Sequence, residues 1–334
     1  MSIPFALPNL RSCLIAFSLL LTAIVTKGQE KDSIYYKKQQ EQGVKKILID
    51  GKFWVWTQKI GDGKINVLLL HGGPAQSHEY FEIFSKYLPN RGITIYYYDQ
   101  FGSYFSEQPT KQQLGDTALW KVSRYIEEIE QVRKGLKLKR FFIYGHSYGA
   151  LLALAYSYKY QPHVKGMIFS DMNPFPKDFD QRISFINNQT DSILHTTKSY
   201  NDLIQHKWKG SPYDEKVYQE AFDSTFTRNF VIRLNKLPDA VLRTKKHKNF
   251  EVAQKIGPST FLLNYVAMIP KITIPVLLIR GEYDFIISTE QIKTLSKLFP
   301  DAQYDIIPNA GHICFIDNPG QYFPGLIDFI KRNK

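Results

Sequence analysis

Arg140-Phe141-Phe142-Ile143-Tyr144-Gly145-His146-Ser147-Tyr148-Gly149-Ala150-Leu151-Leu152-Ala153-Leu154-Ala155-Tyr156 is the stretch that decides the fold. A short apolar run of strand type leads into Gly145-His146-Ser147-Tyr148-Gly149, and a run of helix formers leads out. That is the pattern of a nucleophile elbow. Glycines two places either side of the serine leave room for close backbone packing, and the sharp turn holds the hydroxyl up at the end of a sheet. G-x-S-x-G also occurs by chance; the strand before it and the helix after it give the pattern its meaning here.

Outward from the elbow, strands and helices alternate. Ile65-Asn66-Val67-Leu68-Leu69-Leu70 is a continuous apolar run of buried-strand length, ending in His71-Gly72-Gly73-Pro74. A helical pattern over 78–88 precedes a second buried strand, Thr94-Ile95-Tyr96-Tyr97-Tyr98, which ends at Asp99-Gln100. An amphipathic helix over 120–134 leads to the elbow strand, and Gly166-Met167-Ile168-Phe169-Ser170 is the strand after it. Such alternation calls for an α/β fold, a mostly parallel sheet flanked on both faces by helices. Lys46-Ile47-Leu48-Ile49 and Phe53-Trp54-Val55-Trp56-Thr57-Gln58 add an opening antiparallel hairpin around Asp50-Gly51-Lys52.

From 175 to 268 the rhythm changes to polar, helix-patterned sequence, including 213–226 and 250–256, which reads as a helical cap insertion. The sheet resumes with Ile274-Pro275-Val276-Leu277-Leu278-Ile279-Arg280 and Ala302-Gln303-Tyr304-Asp305-Ile306-Ile307, before a closing helix over 322–331. The expected core therefore comprises 44–174 and 269–334, split by a cap at 175–268.

The 334 residues suffice for one large domain with an insertion. Residues 1–28 carry Arg11, an almost uncharged apolar run from Cys13 to Val25, and Thr26-Lys27-Gly28. That order fits a secretory signal peptide cleaved after Gly28, with an uncleaved anchor as the alternative, and the polar stretch 29–43 reads as a leader. The expected mature chain is exported, periplasmic or secreted, and has no membrane span. Only Cys13 and Cys314 exist, so after cleavage no internal disulfide can form, and Cys314 reads as a small buried residue. The net charge of +12 is spread over scattered lysines, with Lys245-Lys246-His247-Lys248 the one tight cluster. No nucleic-acid module accompanies it, so it reads as a solvated basic face rather than a nucleic-acid surface.

A serine hydroxyl needs a base to take its proton, and the base needs an acid to hold its tautomer. Asp284, in Gly281-Glu282-Tyr283-Asp284, and His312, in Ala310-Gly311-His312, each follow a predicted strand. Ser147, Asp284 and His312 thus stand in the chain order of α/β-hydrolases, each at the carboxyl end of a strand. Glu282 lies too close to its strand, Asp301 and Asp305 belong to a turn and a strand, and His146 is expected to pack beneath the elbow. The backbone N–H groups of Tyr148 and Gly73 are the candidate oxyanion donors. No cluster has metal-ligand spacing and no glycine loop resembles a phosphate cradle, so no cofactor is expected.

From about Ile65 to Lys331 the chain resembles the proline iminopeptidases (prolyl aminopeptidases), including the tricorn-interacting aminopeptidases. His71-Gly72-Gly73-Pro74 matches the family's HGGPG, and Tyr98-Asp99-Gln100-Phe101-Gly102 its DQ-x-G segment. The Ser147 elbow, Gly281-Glu282-Tyr283-Asp284 and Gly257-Pro258-Ser259-Thr260-Phe261 match as well. The resemblance implies release of an N-terminal residue, often proline, from a small peptide, with cap acids reading the free ammonium. Glu220, in Tyr218-Gln219-Glu220-Ala221-Phe222, aligns with one such acid. The second falls on Thr260; losing a charge-assisted bond of about 1.5 to 3 kcal/mol weakens ammonium recognition roughly 10- to 150-fold. Ala75 replaces the last glycine of HGGPG, and Phe101 and Tyr104 replace an arginine and a glycine, which implies a bulkier, more aromatic pocket. The departures keep open an esterase, lactonase or amidase acting on neutral acyl substrates. A catalytically dead hydrolase fold used for binding is a third reading, opposed by the complete triad.

Overall fold

The computed structural model describes residues 42–175, 237–260 and 262–334. The described residues from Lys46 onward belong to one compact unit. The expected signal peptide, most of the expected leader, the expected helix over 213–226 and Glu220 lie outside the described residues.

The strands are β1 (Val44–Ile49), β2 (Phe53–Ile60), β3 (Ile65–Leu70), β4 (Ile93–Asp99), β5 (Phe141–His146), β6 (Val164–Ser170), β7 (Val276–Gly281) and β8 (Ala302–Ile307). They form one eight-stranded sheet in the order β1-β2-β4-β3-β5-β6-β7-β8. β2 runs antiparallel to β4, with Trp56 opposite Asp99. From β4 through β8 every neighbour is parallel. All residues of β4, β5 and β7 are buried, which is why these strands read as unbroken apolar runs rather than alternating ones.

Helices α1 (Val122–Gly135), α2 (Tyr148–Tyr160), α3 (Asp239–Lys246), α4 (Phe250–Ile256), α5 (Thr289–Leu298) and α6 (Pro319–Arg332) complete the frame. α2 has ten consecutive buried residues from Tyr148 to Ser157, a helix apolar all round because it runs through the core. α5 starts at a reciprocal cap, where the Ser288 hydroxyl accepts from Gln291 N and the Gln291 side chain accepts from Ser288 N. The segment expected as a helix at 78–88 is a 3-10 helix, His78–Lys86. It buries Tyr80, Phe81 and Phe84, and the His78 N–H, at its first position and without an intrahelical acceptor, donates to Asp99.

The register sets the site. Strand order reverses at β3, whose neighbours are β4 and β5, and the carboxyl ends line up from there: Leu70 opposite Gly145, His146 opposite Ser170, Ser170 opposite Ile279, and Gly281 opposite Ile307. Loops leaving these ends share one edge of the sheet, the place where open α/β sheets bind ligands.

Candidate active site

Ser147 sits between β5 and α2 with φ 54 and ψ −127, outside the basins ordinary residues adopt. Its N–H donates to the Ser170 carbonyl at 2.9 Å, and its carbonyl accepts from Ala150 N at 2.8 Å. The flanking glycines permit this turn by close approach. A Cβ on Gly149 would stand 2.1 Å from the Leu70 carbonyl oxygen, and one on Gly145 would stand 2.2 Å from that of Gly149.

Asp284 and His312 come together on neighbouring loops, with His312 Nδ1 donating to Asp284 Oδ1 at 2.9 Å and both side chains buried. The same carboxylate oxygen accepts from Ile286 N at 2.9 Å, which fixes its direction. Arg280, at the end of β7, donates to the main-chain carbonyls of Glu282 and Asp284, both at 3.1 Å, and so shapes the acid turn. The Phe285 ring packs 5.3 Å from that of His312. Glu282 is exposed and accepts from Asn309 N at 2.8 Å, bracing the turn from outside.

His146 lies beneath the elbow, fully enclosed, and its contacts define its tautomer. Nε2 donates to the His312 carbonyl at 2.8 Å, so Nδ1 accepts from the Tyr80 hydroxyl at 3.1 Å. Tyr80 in turn accepts from Gly72 N at 2.7 Å. One chain of hydrogen bonds thus joins the 71–75 loop, the residue preceding Ser147 and the backbone of His312. Burial, then the neighbouring His312 charge, holds the His146 pKa well below the usual histidine value, in keeping with a neutral ring.

The 71–75 loop is fastened from a second side. His71 Nδ1 bonds the Gly72 carbonyl at 2.9 Å, its Nε2 receives Gln100 N at 3.2 Å, and the Gln100 side-chain amide donates to the His71 carbonyl at 3.2 Å. Asp99 Oδ1 accepts from the His78 main chain and ring, both at 2.8 Å. The Asp99-Gln100 pair therefore works as a clamp between β3 and β4. Behind it, Glu128 of α1, buried, accepts from Phe101 N at 2.9 Å, from Arg124 and from the Tyr98 hydroxyl. With Gly72 N engaged by Tyr80, the 71–75 loop brings Gly73, at φ 122, next in line; Tyr148 is the first residue of α2.

Sequence reasoning passed over Asp171, one residue beyond β6. It is buried, has φ 53, and lies with Asp284 and His312 in a group whose ligand atoms are all within 4.8 Å. Its carboxylate accepts from Gly281 N, the Ser170 hydroxyl and the Cys314 thiol, while His312 Nδ1 donates to Asp284 Oδ1. The available signal was topological: Asp171 occupies the same end-of-strand slot as Ser147 and Asp284. Cys314 is buried, as read, but its thiol is a donor in this network.

Two expectations are corrected. Phe101, expected to make the pocket bulkier and more aromatic, lies in the core instead. It is buried between Phe53, at 4.3 Å, and Trp120, at 5.7 Å, with the Arg124 guanidinium 4.9 Å from its ring. His247 is not part of a solvated basic face. Its Nδ1 meets Glu79 Oε2 at 2.6 Å, and its ring stacks on Tyr104 at 3.7 Å and 5°. Thr260, where the family has its second acid, is 8 % exposed, and its hydroxyl donates to the Ile256 carbonyl at 3.5 Å.

The family model for the alpha/beta hydrolase fold matches residues 65–319. A proline iminopeptidase of Flavobacterium johnsoniae is 34% identical over 298 residues, covering 84% of this chain and 95% of the relative. One from Chitinophaga pinensis is 33% identical over 297 residues, with 84% and 95% covered. The crystal structure of the Mycobacterium smegmatis proline iminopeptidase superposes with a TM-score of 0.67 at 18% identity, over 87% of this chain and 98% of that one; at that identity the likeness speaks for the fold.

Proposed function

The chain belongs to the proline iminopeptidase family of α/β-hydrolases, serine hydrolases of the peptidase type, and from that premise we propose an exported aminopeptidase that releases N-terminal proline or a small apolar residue from short peptides. The observation that carries the mechanism is the buried 2.9 Å contact from His312 Nδ1 to Asp284 Oδ1, on loops tied through His146 to the turn that bears Ser147. With Nδ1 committed to Asp284, Nε2 of His312 takes the proton of Ser147 as the serine attacks the carbonyl. The oxyanion is met by the N–H groups of Tyr148 and Gly73, each contributing about 3 to 4 kcal/mol to the transition state. His312 returns its proton to the departing amine, and water then releases the acyl-enzyme. Glu220 is assigned the free ammonium of the substrate.

Hydrolysis of prolyl, alanyl and N-acetyl-prolyl fluorogenic amides beside a short-chain ester tests this reading. Prolyl amide should be cleaved and its acetylated form spared, and Ser147→Ala should lower kcat by at least ~10³-fold. Cleavage of the ester alone would turn the assignment to a neutral acyl substrate, which Thr260, standing where the family has a second acid, favours. N-terminal sequencing of enzyme recovered from the producing cells reads export in the same preparation, with Gln29 the expected first residue.

A further inference from the structure

Asp171 touches both of the loops that carry Asp284 and His312. Oδ1 accepts from Gly281 N at 2.9 Å, and Gly281 opens the turn that carries Asp284. Oδ2 accepts from the Cys314 thiol at 3.1 Å, two residues beyond His312, and from the Ser170 hydroxyl at 2.6 Å. The Asp171 main chain is itself anchored, its N–H donating to the Ile279 carbonyl at 2.8 Å. A residue that served only to pack the end of β6 would not need a fully buried carboxyl at a left-handed φ of 53.

We propose that Asp171 is a second, positioning carboxyl of the hydrolytic centre, joining the acid loop to the base loop and adjusting by its charge how tightly His312 holds a proton. The proposal rests on the reading of Ser147, Asp284 and His312 as the triad. The groups facing Asp171 come from every neighbouring element. They are His146 of β5, whose Nε2 is 4.0 Å from Oδ2, Asp284 after β7, His312 and Cys314 after β8, and the hydroxyls of Tyr80 and of Tyr322 on α6. Burial first, and then the charge of Asp284, push the Asp171 carboxyl up to about 7, against the pull of His312 and of its hydroxyl and thiol donors. Near neutral pH it is therefore divided between a neutral form, which only ties the loops, and an ionised form, which stabilises the imidazolium of His312.

The decisive measurement is the pH dependence of kcat/KM for the wild type and Asp171→Asn on whichever substrate the enzyme cleaves. Asparagine keeps an oxygen for Gly281 N and removes the charge, so His312 loses its proton more easily. The midpoint of the acidic limb should move to lower pH by about one unit. A midpoint that stays in place overturns the proposal, whatever happens to the plateau rate, because a purely structural carboxyl alters stability or rate without moving the ionisation. Ser147→Ala and His312→Ala are run alongside. If either keeps full activity, the triad reading has failed; if both are inactive and the Asp171→Asn midpoint is unmoved, only this proposal has failed. Should Asp171→Asn not fold, wild-type enzyme labelled with ¹³C at the aspartate carboxyls supplies the answer by NMR. Coupled titration of Asp171 with the His312 ring supports the proposal, and an Asp171 carboxyl shift that is constant from about pH 5 to about pH 9 overturns it.

Discussion

Ser147 holds φ 54 and ψ −127 against its intrinsic preference, because the turn that exposes its hydroxyl has no room for a relaxed backbone between β5 and α2. A strained residue of this kind stores on the order of 1 to 3 kcal/mol. Ser147→Gly should therefore raise stability by about 1 kcal/mol, read as a higher urea midpoint at unchanged m, while abolishing activity; Ser147→Ala should abolish activity without that gain. An equal midpoint for the two variants would mean that the strain is not stored at this residue. Among the described residues, Asp171 and Ala75, at φ 53 and 57, are the other non-glycine residues just after β6 and β3 held in the left-handed region.

Among elements, α3 and the residues just after it act as a latch on the site. Arg243 bonds Glu79 at 2.8 Å and Glu82 at 2.6 Å, and His247 holds the second oxygen of Glu79. Asn249 N donates to the Ala75 carbonyl at 2.9 Å, and its side chain reaches the Gly102 carbonyl at 3.1 Å. Arg243, His247 and Asn249 thus grip the segments that follow β3 and β4. Arg243 is about two-fifths exposed, so solvent screens its pairs. Arg243→Ala should cost only about 1 kcal/mol of stability. Its larger effect should be local: faster amide exchange across α3 and over 71–75, measured by hydrogen exchange, while α2 keeps wild-type protection. Uniformly unchanged exchange would show that the latch does not hold these loops.

At the scale of the whole molecule, buried ionisable groups set the acid limit of stability. Burial lowers the pKa of His71 and His146 below the unfolded value, so as pH falls below about 6.5 the unfolded chain binds protons that the folded chain refuses. Stability should fall through that range. Asp171 and Glu128 act with the opposite sign: burial raises both, so the folded state keeps protons that the unfolded chain has already lost. They make the decline shallower, and Asp171→Asn should steepen it between about pH 4 and about pH 6.5, measured by urea unfolding at a series of pH values. A slope that Asp171→Asn leaves unchanged would mean that Asp171 ionises alike in both states. Among the described residues no helix is long and apolar enough to cross a membrane.

What the sequence determined by itself is whatever local pattern encodes. Parallel strands buried on both faces appear as continuous apolar runs, so β3, β4, β5, β6 and β7 were legible, as were α1, α4 and α6 from their periodicity and the elbow from its glycines. End-of-strand position also singled out Asp284 and His312, which the fold brings within 2.9 Å of each other. Tertiary structure alone decided what depends on which strands become neighbours and which way a loop side chain turns. Phe101 follows a strand end as a pocket residue does, yet the clamp of Asp99 and Gln100 turns it into the core beside Phe53 and Trp120. Asp171 gains its place only because β6 lies beside β7, which brings Gly281 N to its carboxylate, and because the chain beyond β8 carries Cys314 back to it. Such contacts join residues more than a hundred positions apart, and no local pattern records them.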